Sequence, residues 1–190
     1  MTSRVFVGIP LGLEIQASLA QCYATLCTDV FNRSDIQLHQ QSGHLRNVDP
    51  ANWHITLAFS GSFPRAHLES LRGQLLSQCE GYGKGEATLS RIQLFPDAKS
   101  NIVAALLEPS AWLSLLRVHV LACFQGYGVD VADHGSFRPH ITLARLSKGY
   151  VFPFPPKAIS LPMGINHIVL YQSELGASGP SYQPLVEVQL

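Results

Sequence analysis

The sequence predicts an α+β fold: two pseudo-symmetric lobes of antiparallel sheet with helices on the outer faces and a cleft between them, all within one bilobal domain, residues 1–190. Three observations lead there. The pentapeptide His-Ile-Thr-Leu-Ala occurs twice, at 54–58 and 140–144, 86 positions apart (140 minus 54). Each copy alternates polar and apolar residues over a short run, the pattern of a half-buried strand. Around each copy the same order recurs: a strand ended by a turn, a helix, then the repeated strand.

Composition limits the classes open to such a chain. Hydrophobic residues make up 46% and charged residues 14% of 190 positions, which describes a compact protein with a full core and excludes disorder on a large scale. Thirteen Lys and Arg balance thirteen Asp and Glu, so no electrostatic footprint exists for wrapping duplex DNA, and a nucleic-acid substrate would be met at a local pocket. Cys22, Cys27, Cys79 and Cys123 form no Cys-x-x-Cys pair and read as the reduced thiols of a cytoplasmic protein. Residues 1–13 lack a cleavage-like site and no apolar run approaches the roughly 18 residues of a membrane span. A membrane partner is not expected, and the chain is expected to be monomeric.

In order, residues 4–10 (RVFVGIP) are a buried strand closed by Pro10 and Gly12. Leu13, Ala17, Ala20, Ala24 and Cys27 fall at helical spacing, predicting a helix over 13–31 that lies on the sheet. Residues 34–47 are polar and hold His39 and His44; they read as irregular or as one short strand near 45–48. Asp49 to Asn52 form a turn into the first repeated strand, which Gly61 and Pro64 close. A helix follows over 65–78, then strands over 87–95 and 101–107, and a helix over 109–125. The proline-rich stretch 152–162 reads as an extended surface loop. Strands over 165–175 and 182–190 flank a turn at 176–180. Residues 5–10 correspond to 102–107 in this scheme, and 89–95 to 165–171.

A side-chain period of two puts His54 and Thr56 on one face of their strand and Ile55 and Leu57 on the other; His140 and Thr142 repeat the arrangement. A single histidine on a strand is ordinarily a polar surface residue. Two imidazole–hydroxyl pairs in related halves instead describe a shared site. One imidazole can act as base while the other, protonated, acts as acid. In-line displacement at phosphorus needs that pairing, and the threonine hydroxyls can donate to oxygens where negative charge accumulates. Eight histidines occur without metal-ligand spacing, so no metal or other cofactor is expected. Gly81, Gly83 and Gly85 precede no Lys-Ser or Lys-Thr helix start, which excludes a P-loop. Arg145 is a candidate phosphate ligand. Five residues beyond His140, it faces away from the cleft if the strand stays regular, and a bulge or twist would be needed to bring it in.

The twin His-x-Thr motifs, with RVFVGIPL, NWHITLAFSG, FRPHITLAR, HIVLYQS and YQPL, resemble the two-histidine (2H) phosphoesterase superfamily and, within it, the RNA 2′,3′-cyclic phosphodiesterases also called 2′-5′ RNA ligases. The resemblance covers nearly the whole chain. It implies a bilobal fold, metal-independent hydrolysis of RNA or nucleotide 2′,3′-cyclic phosphates, His54 as proton donor and His140 as proton acceptor. It further implies Thr56 and Thr142 on the phosphate, and Arg145 matches the arginine that often follows the second motif. The polar stretch 34–47 and the strand NIVAALL, which lacks the aromatic and basic residues often found there, depart from the pattern. Alternatives are a 2H phosphoesterase for a small cyclic phosphate or nucleotide with no role in RNA, or a catalytically silent module that binds RNA or nucleotides.

Overall fold

The computed structural model describes residues 1–33, 44–131, 137–147, 154–176 and 179–190. Within these residues nine strands form two antiparallel sheets. The first is ordered β3 (His54–Pro64), β1 (Thr2–Pro10), β8 (His167–Gly176), β9 (Gly179–Gln189). The second is ordered β2 (Leu45–Asn47), β6 (His140–Leu146), β5 (Ile102–Leu107), β4 (Gly85–Phe95), β7 (Lys157–Ile165). Apart from β2 the two orders superimpose. The repeated strands β3 and β6 correspond, β1 corresponds to β5, β8 to β4 and β9 to β7. The sequence correspondences of 5–10 with 102–107 and of 89–95 with 165–171 therefore fall on matching places in the two sheets.

The apolar faces of the repeated strands are fully used. Ile55, Leu57, Ile141 and Leu143 are each at most 1% exposed, and they join one continuous cluster with Leu19, Leu71, Leu75, Leu113 and Leu116 from the helices. Burying a side chain of this size contributes roughly 1.5–3 kcal/mol, so the polar faces are free to carry groups chosen for chemistry.

The helices are exchanged between the sheets. Helix α1 (Leu13–Arg33) follows β1 of the first sheet yet packs on β7 of the second. Tyr23 donates to Asn47 Oδ1 on β2 at 2.9 Å, and Lys157 on β7 pairs with Asp29 at 3.8 Å. Helix α3 (Ala111–Phe124) follows β5 of the second sheet and packs on β3 of the first, beside α2 (Leu68–Cys79), which also touches β9. Ser110 starts α3 by accepting a bond from Leu113 N–H at 3.2 Å.

One expected element is corrected. Residues 157–162 are not surface loop: they belong to β7, which pairs with β4 and brings Thr88 opposite Pro162. A proline without an N–H fits there because β7 is the sheet edge and needs bonds on one side only. Residues 152 and 153 of that stretch lie outside the described residues, as do His39 with most of 34–47, and the centre of the 176–180 turn. No helix among the described residues is long and apolar enough to cross a membrane.

Candidate active site

A short 3-10 turn, Pro50–Asn52, delivers the chain to β3. Asp49 Oδ1 caps it by accepting from Ala51 N–H at 2.9 Å, and the buried Trp53 donates its indole N–H to Val48 O at 3.2 Å. His54 is thereby held at the start of the strand, and its Nδ1 donates to Asn52 O at 2.7 Å. The second copy repeats the device: His140 Nδ1 donates to Arg138 O at 3.0 Å. A carbonyl can only accept, so Nδ1 carries the proton in each ring and Nε2 is left as the nitrogen available to a substrate.

Both rings are also stacked. Phe6 lies on His54 with centroids 4.6 Å apart, Tyr171 lies on Phe6 at 4.9 Å, and Tyr182 meets His54 edge-on at 5.3 Å. On the other side Phe95 lies on His140 at 4.0 Å, with the Arg138 guanidinium 4.8 Å from the Phe95 centroid. Burial pushes His54 below its ordinary value; the bond to Asn52 works against this and the charge of His140 adds to it. His140 is lowered by burial first, opposed by its carbonyl bond, and then lowered further by Arg138 and Arg145. The charges of Arg138 and Arg145 thus bear on His140, and that of His140 bears on His54.

The placement of Arg145 follows from an irregularity in both repeated strands. Val103 and Ala104 are consecutive on β5 but face Ala144 and Thr142, so Leu143 is an extra residue on β6, a β-bulge. Val7 and Gly8 on β1 likewise face Ala58 and Thr56, which makes Leu57 the matching bulge on β3. Each bulge resets the alternation, so Leu143 and Ala144 are both buried and Arg145 returns to the face of His140 and Thr142. In the first half the equivalent position is Phe59. Bulges also leave carbonyls without ladder partners. Here Leu143 O accepts from Val48 N–H at 2.8 Å, and Leu57 O accepts from Arg117 Nε of α3 at 3.1 Å. The Arg117 guanidinium also lies 4.8 Å from the centroid of Phe137, just ahead of β6.

All five residues singled out in the sequence, His54, Thr56, His140, Thr142 and Arg145, line one cleft of about 730 Å³. Arg4, Arg46, Phe59 and Tyr182 line it too, and no role had been expected for them. Burial raises the Tyr182 phenol above its ordinary value, and the charges of Arg145 on one sheet and Arg4 on the other work against this. Gly8 had also gone unremarked: a methyl there would lie 3.3 Å from His54 Cδ2 and 3.2 Å from Phe6 Cε2. Among the described residues no group of three metal-ligating side chains is present. The arrangement can take up a proton at one Nε2, deliver one at the other, and hold an anion between hydroxyls and a guanidinium.

Known proteins are similar to this chain in sequence and in fold. The sequence model of the 2′-5′ RNA ligase superfamily matches residues 34–174. The RNA 2′,3′-cyclic phosphodiesterase of Bacillus subtilis (strain 168) is 28% identical over 148 residues, covering 75% of this chain and 79% of that protein. The protein of the same name from Geobacillus stearothermophilus is 25% identical over 195 residues, covering 99% of this chain and 57% of its own length. Among solved structures, Escherichia coli LigT complexed with 3′-AMP superimposes with a TM-score of 0.74 at 22% identity, covering 100% of this chain and 99% of that one. The TT0787 protein of Thermus thermophilus superimposes with a TM-score of 0.70 at 25% identity, covering 98% and 97%.

Proposed function

The chain belongs to the 2′-5′ RNA ligase superfamily, and from that membership we propose that it is a hydrolase that opens 2′,3′-cyclic phosphate ends of RNA to 2′-phosphomonoesters, using His54 and His140 as acid and base and no metal. The observation that carries the reading is the pair of imidazoles, each tied through Nδ1 to the carbonyl two residues earlier and each beside a threonine hydroxyl in the same cleft. Two relatives named RNA 2′,3′-cyclic phosphodiesterase support the substrate class.

In the proposed reaction a water attacks phosphorus and passes its proton to His140 Nε2. The P–O3′ bond breaks opposite the new P–O bond, and O3′ takes the proton from His54 Nε2. Thr56, Thr142 and Arg145 stabilise the charge on the other phosphate oxygens. The assignment of His140 as base rests on Arg138 and Arg145, whose charges disfavour imidazolium there. A bilobal enzyme of the cytoplasm, acting as a monomer, completes the reading.

Incubation with adenosine 2′,3′-cyclic phosphate, followed by chromatography against authentic 2′- and 3′-AMP, tests it. We expect 2′-AMP, undiminished turnover in EDTA, and losses of at least about 10²-fold for His54→Ala and His140→Ala. A 3′-phosphate product would reverse the assignment of the leaving oxygen. Near-normal turnover in either histidine variant would remove that residue from the mechanism.

A further inference from the structure

We propose that Arg46 forms a second-phosphate subsite beside the reacting centre, taking the phosphate carried on O5′ of the cyclic-ended nucleotide; this rests on the hydrolase reading above. Arg46 and Arg145 are direct cross-strand partners on β2 and β6, and both line the cleft. Side chains at such positions start about 5 Å apart, and like charges placed there repel. Neither has an ion-pair partner among the described residues, where the pairs are Arg72 with Glu69 and Lys157 with Asp29. The lining of the cleft holds a single carboxylate, Asp49, and its Oδ1 is occupied in capping the Pro50–Asn52 turn. Two adjacent guanidiniums are thus left uncompensated locally by the described protein groups, in a chain whose formal net charge is zero overall.

A cyclic phosphodiester carries one negative charge, which Arg145 and the two threonines suffice to meet. The surplus at Arg46 calls for a second anion close to the first. The substrate's chemistry says where that anion is attached. The cyclic phosphate occupies O2′ and O3′ of the terminal ribose, so O5′ is the one ribose hydroxyl oxygen left to bear a phosphate. Arg4, another cleft arginine, sits on the opposite sheet with its guanidinium 5.2 Å from the centroid of Phe59. That ring holds the place that Arg145 has in the second half, so the first wall presents one guanidinium set against an aromatic ring and the second presents two guanidiniums side by side. The paired cations direct the substrate's 5′ side toward β2.

Three substrates test this: adenosine 2′,3′-cyclic phosphate, the same nucleotide with a 5′-phosphate, and the dinucleotide ApA ending in a 2′,3′-cyclic phosphate. The 5′-phosphate is a monoester in the second and the diester of a longer RNA in the third, so these two separate the sources. The wild-type enzyme should turn over the second, the third or both at least about 10-fold more efficiently than the first, as expected for a charge-assisted contact. Arg46→Gln should abolish that preference by raising KM, while leaving the first substrate within about twofold. Arg46 is exposed, so the variant is expected to fold. Equal losses on all three substrates would put Arg46 on the cyclic phosphate itself and overturn the subsite; so would a wild-type enzyme with no preference. Calorimetry with 2′-AMP and adenosine 2′,5′-bisphosphate reads the same contact without turnover. If no substrate is cleaved, the hydrolase reading fails, and the bisphosphate preference and its loss in Arg46→Gln still decide whether the second-phosphate site exists.

Discussion

The imidazoles of His54 and His140 are both depressed by burial, and that single fact sets the expected pH behaviour. A buried base whose value falls below the ordinary histidine value of about 6.5 is neutral at physiological pH. The acid must be protonated while the base is not, so kcat/KM should trace a bell whose maximum lies on the acidic side of about 6.5. An anionic phosphate in the cleft favours imidazolium, so the kcat profile should lie at higher pH than the kcat/KM profile. Initial rates from about pH 4 to about pH 9, at low and saturating substrate, check both; a kcat/KM plateau extending through about pH 8 would contradict the assignment. The values belong to the pair, since His140 acts on His54 directly. Gly8 makes a second residue-scale prediction. Its missing side chain makes room for the His54 ring against Phe6, so Gly8→Ala should lower kcat about 10-fold or more through a displaced imidazole, with little change in Tm.

At the scale of the element, the bulges decide what the repeated strands present. Arg145→Met keeps the length of the side chain and removes its charge, and we expect kcat/KM to fall about 10- to 100-fold, the range for a charge-assisted contact. Circular dichroism should show the fold unchanged, because Arg145 is exposed and the bulge is held by buried Leu143 and Ala144. The alternation of His-Ile-Thr-Leu was legible in the sequence because one face meets the core and the other meets solvent. What followed was not, because strict alternation turns Arg145 outward. The available signal was the adjacent apolar pair Leu-Ala before Arg in one copy and before Phe in the other, which a regular half-buried strand does not contain. Strand β7 was hidden for a different reason. Pro155, Pro156 and Pro162 argue against strand in general, yet an edge strand asks for bonds on one side and admits Pro162.

For the whole molecule, the exchange of helices matters more than the likeness of the halves. Helix α1 packs on β7 of the second sheet and α3 on β3 of the first, so a fragment ending near residue 100 would carry α1 without the strand it packs on, and β3 without α3. We expect fragments 1–100 and 101–190, made separately, to lack dispersed NMR spectra, and the intact chain to unfold in one transition by both fluorescence and circular dichroism. A folded isolated half would contradict that. The correspondence of strands could be read from the repeated motif because it is local in sequence. The exchange could not, since no local pattern records which of two sheets a helix crosses to meet.

Arg117 runs from the Leu57 carbonyl of one histidine strand to the Phe137 ring that leads into the other. It ties the two histidine strands together beside the cleft. A hinge between the sheets would have to part this bond and leave a bulge carbonyl unsatisfied. Under the proposed hydrolase reading, this tie would hold the two histidine strands at one spacing, so that proton donor and acceptor meet each scissile phosphate already set for the next turnover.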